Sequence, residues 1–292
     1  MKRILLTGAN GFLGQHLSLF LQEFAMDLLV TGRGPARLPG NKGLIYAEAD
    51  LTSEDDTTKL LAKFKPDLII HAAAMSKPDE CYKNPGACEL ANVQATRNLL
   101  RHGTSKFIYI STDFVFGEGG PYAEEDVPSP LNIYGRSKLK AEEEVRVSGS
   151  SYAIIRPVFI YGPVWDGLRP TFLQWVKNSV EQGQRIKVVS DQLRMPTYVA
   201  DICRGIKSVI DKDATGIYHL AGKDVLSPYT MATTLADILG LDRSLIESVT
   251  SDTFPEPVKR AKKQGLNIAK AIHELDYAPV SFVEGVRLTF GK

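Results

Sequence analysis

Thr7-Gly8-Ala9-Asn10-Gly11-Phe12-Leu13-Gly14 joins a short apolar run, Ile4–Thr7, to a segment of helical periodicity, Phe12–Phe24. The glycines follow a GxxGxxG spacing. A strand that turns straight into a helix brings the helix's unpaired first amides to the turn, where they can hold an anion. Glycine permits positive φ there and leaves room for a pyrophosphate. The chain has 24 glycines, so an ordinary strand–helix turn could carry this spacing too. Its position, between the first strand and the first helix, predicts a dinucleotide-binding turn.

Outward from this turn, short apolar runs alternate with helix-length segments. Strands are predicted at Asp27–Thr31, Gly43–Ala47, Asp67–His71, Lys106–Ser111 and Tyr152–Ile155. Helices are predicted over Thr52–Phe64, Asn84–His102 and Asn132–Val147, with a Gly/Pro-rich loop at Gly117–Pro130. Runs that are apolar on both faces and separated by helices indicate a parallel sheet covered on both sides, a doubly wound α/β fold. Beyond Pro157 the rhythm loosens. Helices near Thr171–Gln182, Ser227–Leu239 and Ile268–Leu275 and strands near Ile186–Val189 and Gly216–Leu220 remain readable.

Composition sets the outer bounds. At roughly 150 residues per domain, 292 residues make one large or two ordinary domains. With 43% hydrophobic and 24% charged residues, the whole chain reads as neither disordered, collagenous nor coiled coil. Lys+Arg 35 against Asp+Glu 34 leaves a net charge of +1, which gives no footprint for nucleic acid or a membrane. Three cysteines, none in CxxC, suit a reducing compartment. Met1-Lys2-Arg3 is basic, but the apolar run after it is too short for the ~7–15 residues of a signal core. The expected location is cytoplasmic.

The second strand ends in Val30-Thr31-Gly32-Arg33-Gly34-Pro35-Ala36-Arg37. A site for NAD usually offers an acid to the adenosine ribose at this point. Here there is none, and Asp27 lies too early to reach. An arginine can instead pair with a 2′-phosphate through charge-assisted bonds. NADPH is therefore the expected cofactor, through Arg33, with NADH as the alternative; Arg33 and Arg37 as solvated loop charges is the plainer reading.

Tyr134-Gly135-Arg136-Ser137-Lys138 is a YxxxK, a spacing that puts both side chains on one helical face. With 11 Tyr and 20 Lys, chance alone gives about 0.75 such pairs, so context must decide. Ser111-Thr112-Asp113 ends the preceding strand, where parallel sheets bind ligands. An ammonium near a phenol is expected to lower the phenol pKa and make Tyr134 a usable acid or base.

Together these residues resemble the extended short-chain dehydrogenase/reductase superfamily along nearly the whole chain. Thr7–Gly14, Asp50-Leu51, His71–Ala74, Asn92 and Tyr134–Lys138 carry the resemblance. Ile110–Phe116, Ser129–Glu143, Arg156–Tyr161, Asp191-Gln192 and Pro196-Thr197 narrow it to the dTDP-4-dehydrorhamnose reductase-like family. That resemblance implies a Rossmann NAD(P)-binding domain, residues 1–156 plus about 195–222, and a smaller α/β substrate-binding domain, about 157–194 plus 223–292. It implies NADPH-dependent reduction of the C4 ketone of a nucleotide-activated deoxysugar, dTDP-4-dehydro-L-rhamnose to dTDP-L-rhamnose. Thr112, Tyr134 and Lys138 are then the catalytic set: Thr112 bonds the reacting oxygen, Tyr134 protonates it, and Lys138 holds the nicotinamide ribose. Gly8, Asn10, Gly11, Phe12, Leu13 and Gly14 belong to the cofactor site, as do Asp50, Leu51, Ala72, Ala73, Ala74 and Asn92. Thr112, Asp113 and Phe159 fall where the family contacts the sugar. The partner expected is the nucleotide sugar, for a monomer or homodimer.

Two departures stand out. Some family members dimerise through a magnesium site that uses a first-helix glutamate; His16 occupies that position, and no metal is expected. The sugar-site tryptophan is Phe159 here, without an indole donor. Of the remaining residues, His71 reads as structural, Cys81 and Cys88 as packing, and Glu142 and Glu143 as a solvated helix face. Trp165 and Trp175 suit either the sugar cleft or simple packing. Two other functions fit the same motifs. One is a non-catalytic regulatory subunit resembling the beta subunit of methionine adenosyltransferase. The other is a nucleotide-sugar epimerase or dehydratase, although Phe114 stands where a dehydratase places an acid.

Overall fold

A computed structural model describes residues 2–40, 43–102, 106–165, 167–254 and 257–291. Met1 and Lys292, the outer ends of the two expected domains, lie outside the described residues. Seven parallel strands form the central sheet: β1 (Arg3–Thr7), β2 (Asp27–Gly32), β3 (Ile45–Glu48), β4 (Leu68–His71), β5 (Lys106–Ile110), β6 (Ser151–Pro157) and β7 (Gly216–Leu220). Their spatial order is β3-β2-β1-β4-β5-β6-β7. The chain runs outward from β1 to β3, then returns to β4 beside β1. That reversal opens a crevice at the carboxyl ends of β1 and β4, where Thr7 pairs with His71.

Both faces of the sheet are covered, as the doubly apolar runs require. On one face Ile4, Leu6, Val30 and Ile108 pack against Leu17 of the Phe12–Gln22 helix and Ile202 and Ile206 of the Val199–Asp211 helix. On the other, Leu5, Ile69, Phe107 and Tyr109 meet Leu60, Leu99 and Val145 from three further helices. Local chemistry sets the helix starts. Ser53 caps Glu54–Phe64 by accepting from the Asp56 amide, and Glu54, Asp55 and Asp56 favour the positive end of its dipole. Asn132 caps Ile133–Val147 through the Gly135 amide.

A third apolar cluster lies apart from the sheet. Leu173, Val176, Ile186, Val188, Met231, Leu235 and Val286 are its centre. It contains a parallel pair, Ile186–Val189 with Ile246–Val249. The predicted strands at Ile186–Val189 and Gly216–Leu220 are present, as are helices Phe172–Glu181, Pro228–Leu239 and Ala269–Leu275. The sequence reading missed the Ile246–Val249 strand and the Phe282–Phe290 helix. The Gly117–Pro130 segment is not all loop. Gly119–Tyr122 pairs with Gln264–Leu266, a partner far along the chain. The helix expected from Asn84 runs Pro85–Leu100 and includes one π-helical turn, Leu90–Gln94; a separate short helix, Pro78–Lys83, precedes it. Among the described residues no helix is long and apolar enough to cross a membrane.

Candidate active site

The crevice is a cleft of about 800 Å³. The glycine turn forms one wall. Gly8 has φ +75°, and a Cβ on it would lie 2.6 Å from the Ala73 amide nitrogen. A Cβ on Gly14 would lie 2.0 Å from the Gly8 carbonyl oxygen. A side chain on Gly8 would push the turn away from the segment after β4, and one on Gly14 would push the start of the first helix off the turn. Asn10 does its work within the protein. Its Nδ2 donates to the Arg33 and Pro35 carbonyls at 3.0 and 3.1 Å, and its Oδ1 accepts from the Arg37 amide at 2.9 Å. It therefore shapes the loop that presents Arg33 and Arg37 to the cleft. Asp50 Oδ1 accepts from the Thr52 amide and hydroxyl, which fixes the opposite rim.

Every residue predicted to bind cofactor or substrate lines this cleft except Asn92. Asn92 is buried in the π-helical turn. Its Oδ1 accepts from the Met75 amide at 2.7 Å, and its Nδ2 donates to the Met75 carbonyl at 3.1 Å and to Ser137 Oγ at 2.8 Å. With its amide engaged on both sides, it braces the Ala72–Ser76 wall against the YxxxK helix instead of facing the cleft.

Thr112, Tyr134 and Lys138 converge beyond the end of β5. Thr112 donates to Asp113 Oδ1 at 3.1 Å and lines the same cleft as Tyr134 and Lys138. A Cβ on Gly135 would lie 2.1 Å from the Phe114 carbonyl oxygen, so the bare glycine lets the helix press this closely on the Thr112–Phe114 turn. Lys138 Nζ donates to the Ile110 carbonyl at 2.8 Å and sits 4.1 Å from the centre of the Tyr109 ring. Burial pushes the Lys138 ammonium down to about 7.

The expectation that the neighbouring ammonium lowers the Tyr134 pKa is corrected. Tyr134 is 7% exposed, and burial holds its phenol above the ordinary value, against a smaller lowering from neighbouring Thr112. Desolvation wins because it penalises the phenolate from every side. Tyr134 is a neutral phenol and hence a proton donor.

His71 is structural, as expected. Its ring bridges Thr7 Oγ1 at 2.7 Å and Thr96 Oγ1 at 3.1 Å, and burial depresses its pKa to about 3. The reading of Glu142 and Glu143 as one solvated face is half wrong. Glu143 is exposed. Glu142 is buried and takes two bonds from Arg156, at 3.0 and 2.7 Å, and one from the Ser111 hydroxyl. A helix against a sheet buries more than its apolar residues when the next strand supplies a countercharge.

A second cleft of about 410 Å³ adjoins the first through Asp113, Phe114 and Phe159. Phe159 carries φ +37°, strained for a side chain of this size, and its ring meets Phe172 edge-on at 5.7 Å. Lys187, Arg194 and Arg260 bring three cations to this cleft. Asp113 is buried between the clefts; burial raises its carboxyl to about 6, and the Arg194 charge limits the rise. Sequence reasoning passed over these cations, because only distant packing collects them. The two tryptophans divide. Trp175 lines the second cleft. Trp165 stacks on His16 at 4.0 Å, and His16 Nε2 lies 2.9 Å from the Pro163 carbonyl. The residue at the family's magnesium position thus clamps a loop. Among the described residues no cluster of three or more His, Cys, Asp or Glu could hold a metal ion.

Comparison with known proteins places this geometry. The family model of the RmlD substrate binding domain matches residues 1–291. The chain is similar to methionine adenosyltransferase 2 subunit beta of Danio rerio, with 30% identity over 92% of this chain and 84% of that one. It is similar to a probable low-salt glycan biosynthesis reductase, Agl14, of Haloferax volcanii, with 30% identity over 92% and 91%. Among solved structures, dTDP-4-dehydrorhamnose reductase of Bacillus anthracis str. Ames, in complex with NADP, superposes with a TM-score of 0.84, 27% identity and 99% coverage of both chains.

Proposed function

Starting from the fact that this chain belongs to the RmlD substrate binding domain family, we propose that it is an NADPH-dependent reductase of a 4-keto nucleotide sugar, with dTDP-4-dehydro-L-rhamnose as substrate and NADH as a secondary cofactor. The observation that carries this reading is the convergence of Thr112, Tyr134 and Lys138 on one cleft with the glycine turn. The cleft fits a dinucleotide. The glycines of the Gly8–Gly14 turn let its backbone pack tightly at the cleft wall, where a pyrophosphate would rest against it, and Arg33 and Arg37 line the same cleft as candidate cations for a 2′-phosphate.

NADPH held along this cleft would supply the hydride. The protein's own groups do the rest. Thr112 donates to the ketone oxygen and polarises it. Tyr134, protonated at neutral pH, gives its proton to that oxygen as negative charge develops. Lys138, anchored on the Ile110 carbonyl, orients the ribose and stabilises Tyr134 as it gives up the proton. Asp113 and Phe159 contact the sugar from the shared wall. Lys187, Arg194 and Arg260 face the anionic nucleotide half. In this division, residues 1–156 plus about 195–222 hold the cofactor and the remainder holds the substrate.

The likeness to methionine adenosyltransferase 2 subunit beta supports a second reading, a nucleotide-binding regulatory subunit. One assay separates the two. The purified protein is given NADPH and dTDP-4-dehydro-L-rhamnose generated in situ, and the reduced-nicotinamide absorbance is followed. Sugar-dependent oxidation, faster with NADPH than NADH, is the expected result. NADPH binding without oxidation, together with co-purification of an unrelated enzyme, would replace the reductase with the subunit.

A further inference from the structure

Cys81 lies in the Pro78–Lys83 helix and Cys88 in the adjoining Pro85–Glu89 turn. Both are wholly excluded from solvent. Their Sγ atoms are 2.7 Å apart. The two thiols are thus in direct contact, close enough for a disulfide to form with a small movement of the chain. The two sulfurs share a buried cluster with the Tyr134 ring. Cys88 Sγ is 3.3 Å from Ser137 Oγ, and Ser137 Oγ donates to the Tyr134 carbonyl at 2.8 Å. Cys81 Sγ donates to the Met75 carbonyl at 3.4 Å, on the wall that Asn92 braces.

We propose that Cys81 and Cys88 are a dithiol–disulfide pair whose oxidation resets the wall behind Tyr134. The oxidant is a small-molecule disulfide such as oxidised glutathione. One cysteine loses its proton and attacks the glutathione disulfide, releasing one glutathione thiolate. The second cysteine then displaces the remaining glutathione. Two electrons pass from the protein sulfurs to glutathione disulfide, which leaves as two thiols. The new bond draws the two short helices together and removes both S–H donors. Ser137 and Met75 each lose a sulfur partner, Ser137 on the helix that carries Tyr134 and Met75 on the wall braced by Asn92. Burial pushes the Cys81 thiol up, so attack requires opening of these short helices, and oxidation is slow. Cys203 packs on the other face of the sheet and serves as an internal reference thiol.

The bond itself is independent of the proposed reaction; its effect on turnover rests on that reading. The protein is incubated with oxidised glutathione, quenched in acid, unfolded and alkylated, and its mass and peptides are read. The expected form carries one alkyl group where the reduced protein carries three, with a Cys81–Cys88 crosslink, only Cys203 alkylated, and full reversal by dithiothreitol. Turnover of this form is expected to fall about 3- to 10-fold, in line with a sub-ångström displacement of a catalytic group, and Cys81→Ser keeps its own rate in the same oxidant. Amide hydrogen exchange at Tyr134–Lys138 is expected to slow on oxidation, whether or not a substrate is in hand. Three alkylatable thiols after prolonged exposure, or a stable glutathione adduct, would overturn the pair. A crosslink that leaves exchange at Tyr134–Lys138 unchanged would overturn its effect on the wall. A reduced protein without turnover would count against the reductase reading, and the thiol count and exchange would still decide this one.

Discussion

Glu142 and Arg156 meet in a two-point ion pair with both side chains about 1% exposed. Ser111 donates its hydroxyl to the same carboxylate, and Ser111 directly precedes Thr112. The Arg156 guanidinium also lies 4.9 Å from the centre of the Phe116 ring and 3.4 Å from His219 Nε2. The strand end that carries Thr112 is thus tied to the YxxxK helix and to β6 through one buried charge pair.

Removing one partner strands the other in a dry interior. Glu142→Gln is expected to cost about 3–5 kcal/mol of stability, read as a lower urea midpoint. The paired replacement Glu142→Leu with Arg156→Met is expected to cost less than the single change, because no unpaired charge remains. A Glu142→Gln protein that unfolds at the wild-type urea concentration would refute the assignment.

Tyr134→Phe keeps the ring in its apolar seat and removes the phenolic hydroxyl, and with it the proton donor. Turnover is expected to fall by roughly 10²–10⁴, while the dissociation constant for NADPH stays within about twofold, since the cofactor turn is built elsewhere. Normal turnover in this variant would exclude Tyr134 as the acid.

Arg33→Ala is expected to raise the KM for NADPH about tenfold or more, the worth of a charge-assisted bond to phosphate. The KM for NADH should barely move. Equal effects on the two cofactors would show that Arg33 does not face a 2′-phosphate.

The buried histidines set an acid limit. Burial, with Lys138 and Arg156 as the next causes, depresses His71 and His219 to about 3 each. An unfolded histidine titrates near 6.5. Between those values the unfolded chain binds more protons, so the stability present above about 6.5 is lost as pH falls towards 3. Asp113, raised to about 6, works the other way over a narrower window, adding stability as pH falls from about 6 towards 4. The urea midpoint is therefore expected to drop between pH 7.5 and pH 4.5, and to drop less in His219→Gln. A midpoint that holds or rises on acidification contradicts the neutral assignment.

Much of the architecture was legible because its signals are local. The apolar runs at Ile4–Thr7 and Asp67–His71 read as strands, and the helices read from Thr52 and Asn132 start within two residues of their places, where Ser53 and Asn132 cap them. Less was legible where partners are remote. Gly119–Tyr122 has no strand pattern of its own and becomes a strand only against Gln264–Leu266. Glu142 sits in a run of three glutamates that looks solvated, and its countercharge comes from the next strand. Asn92 was read from the motif as a cofactor ligand, and its two-sided amide instead closes on Met75 and Ser137.

From residues alone one can read the strand–helix alternation of the first half, the glycine turn and the Tyr134–Lys138 spacing, because backbone propensity and helical periodicity act over a few residues. Charge states and the meeting of distant groups come from the folded packing. Whether Tyr134 holds its proton, whether Asp113 sits near 6, and whether Cys81 reaches Cys88 depend on the water excluded by every surrounding element, and desolvation is a property of the assembled interior.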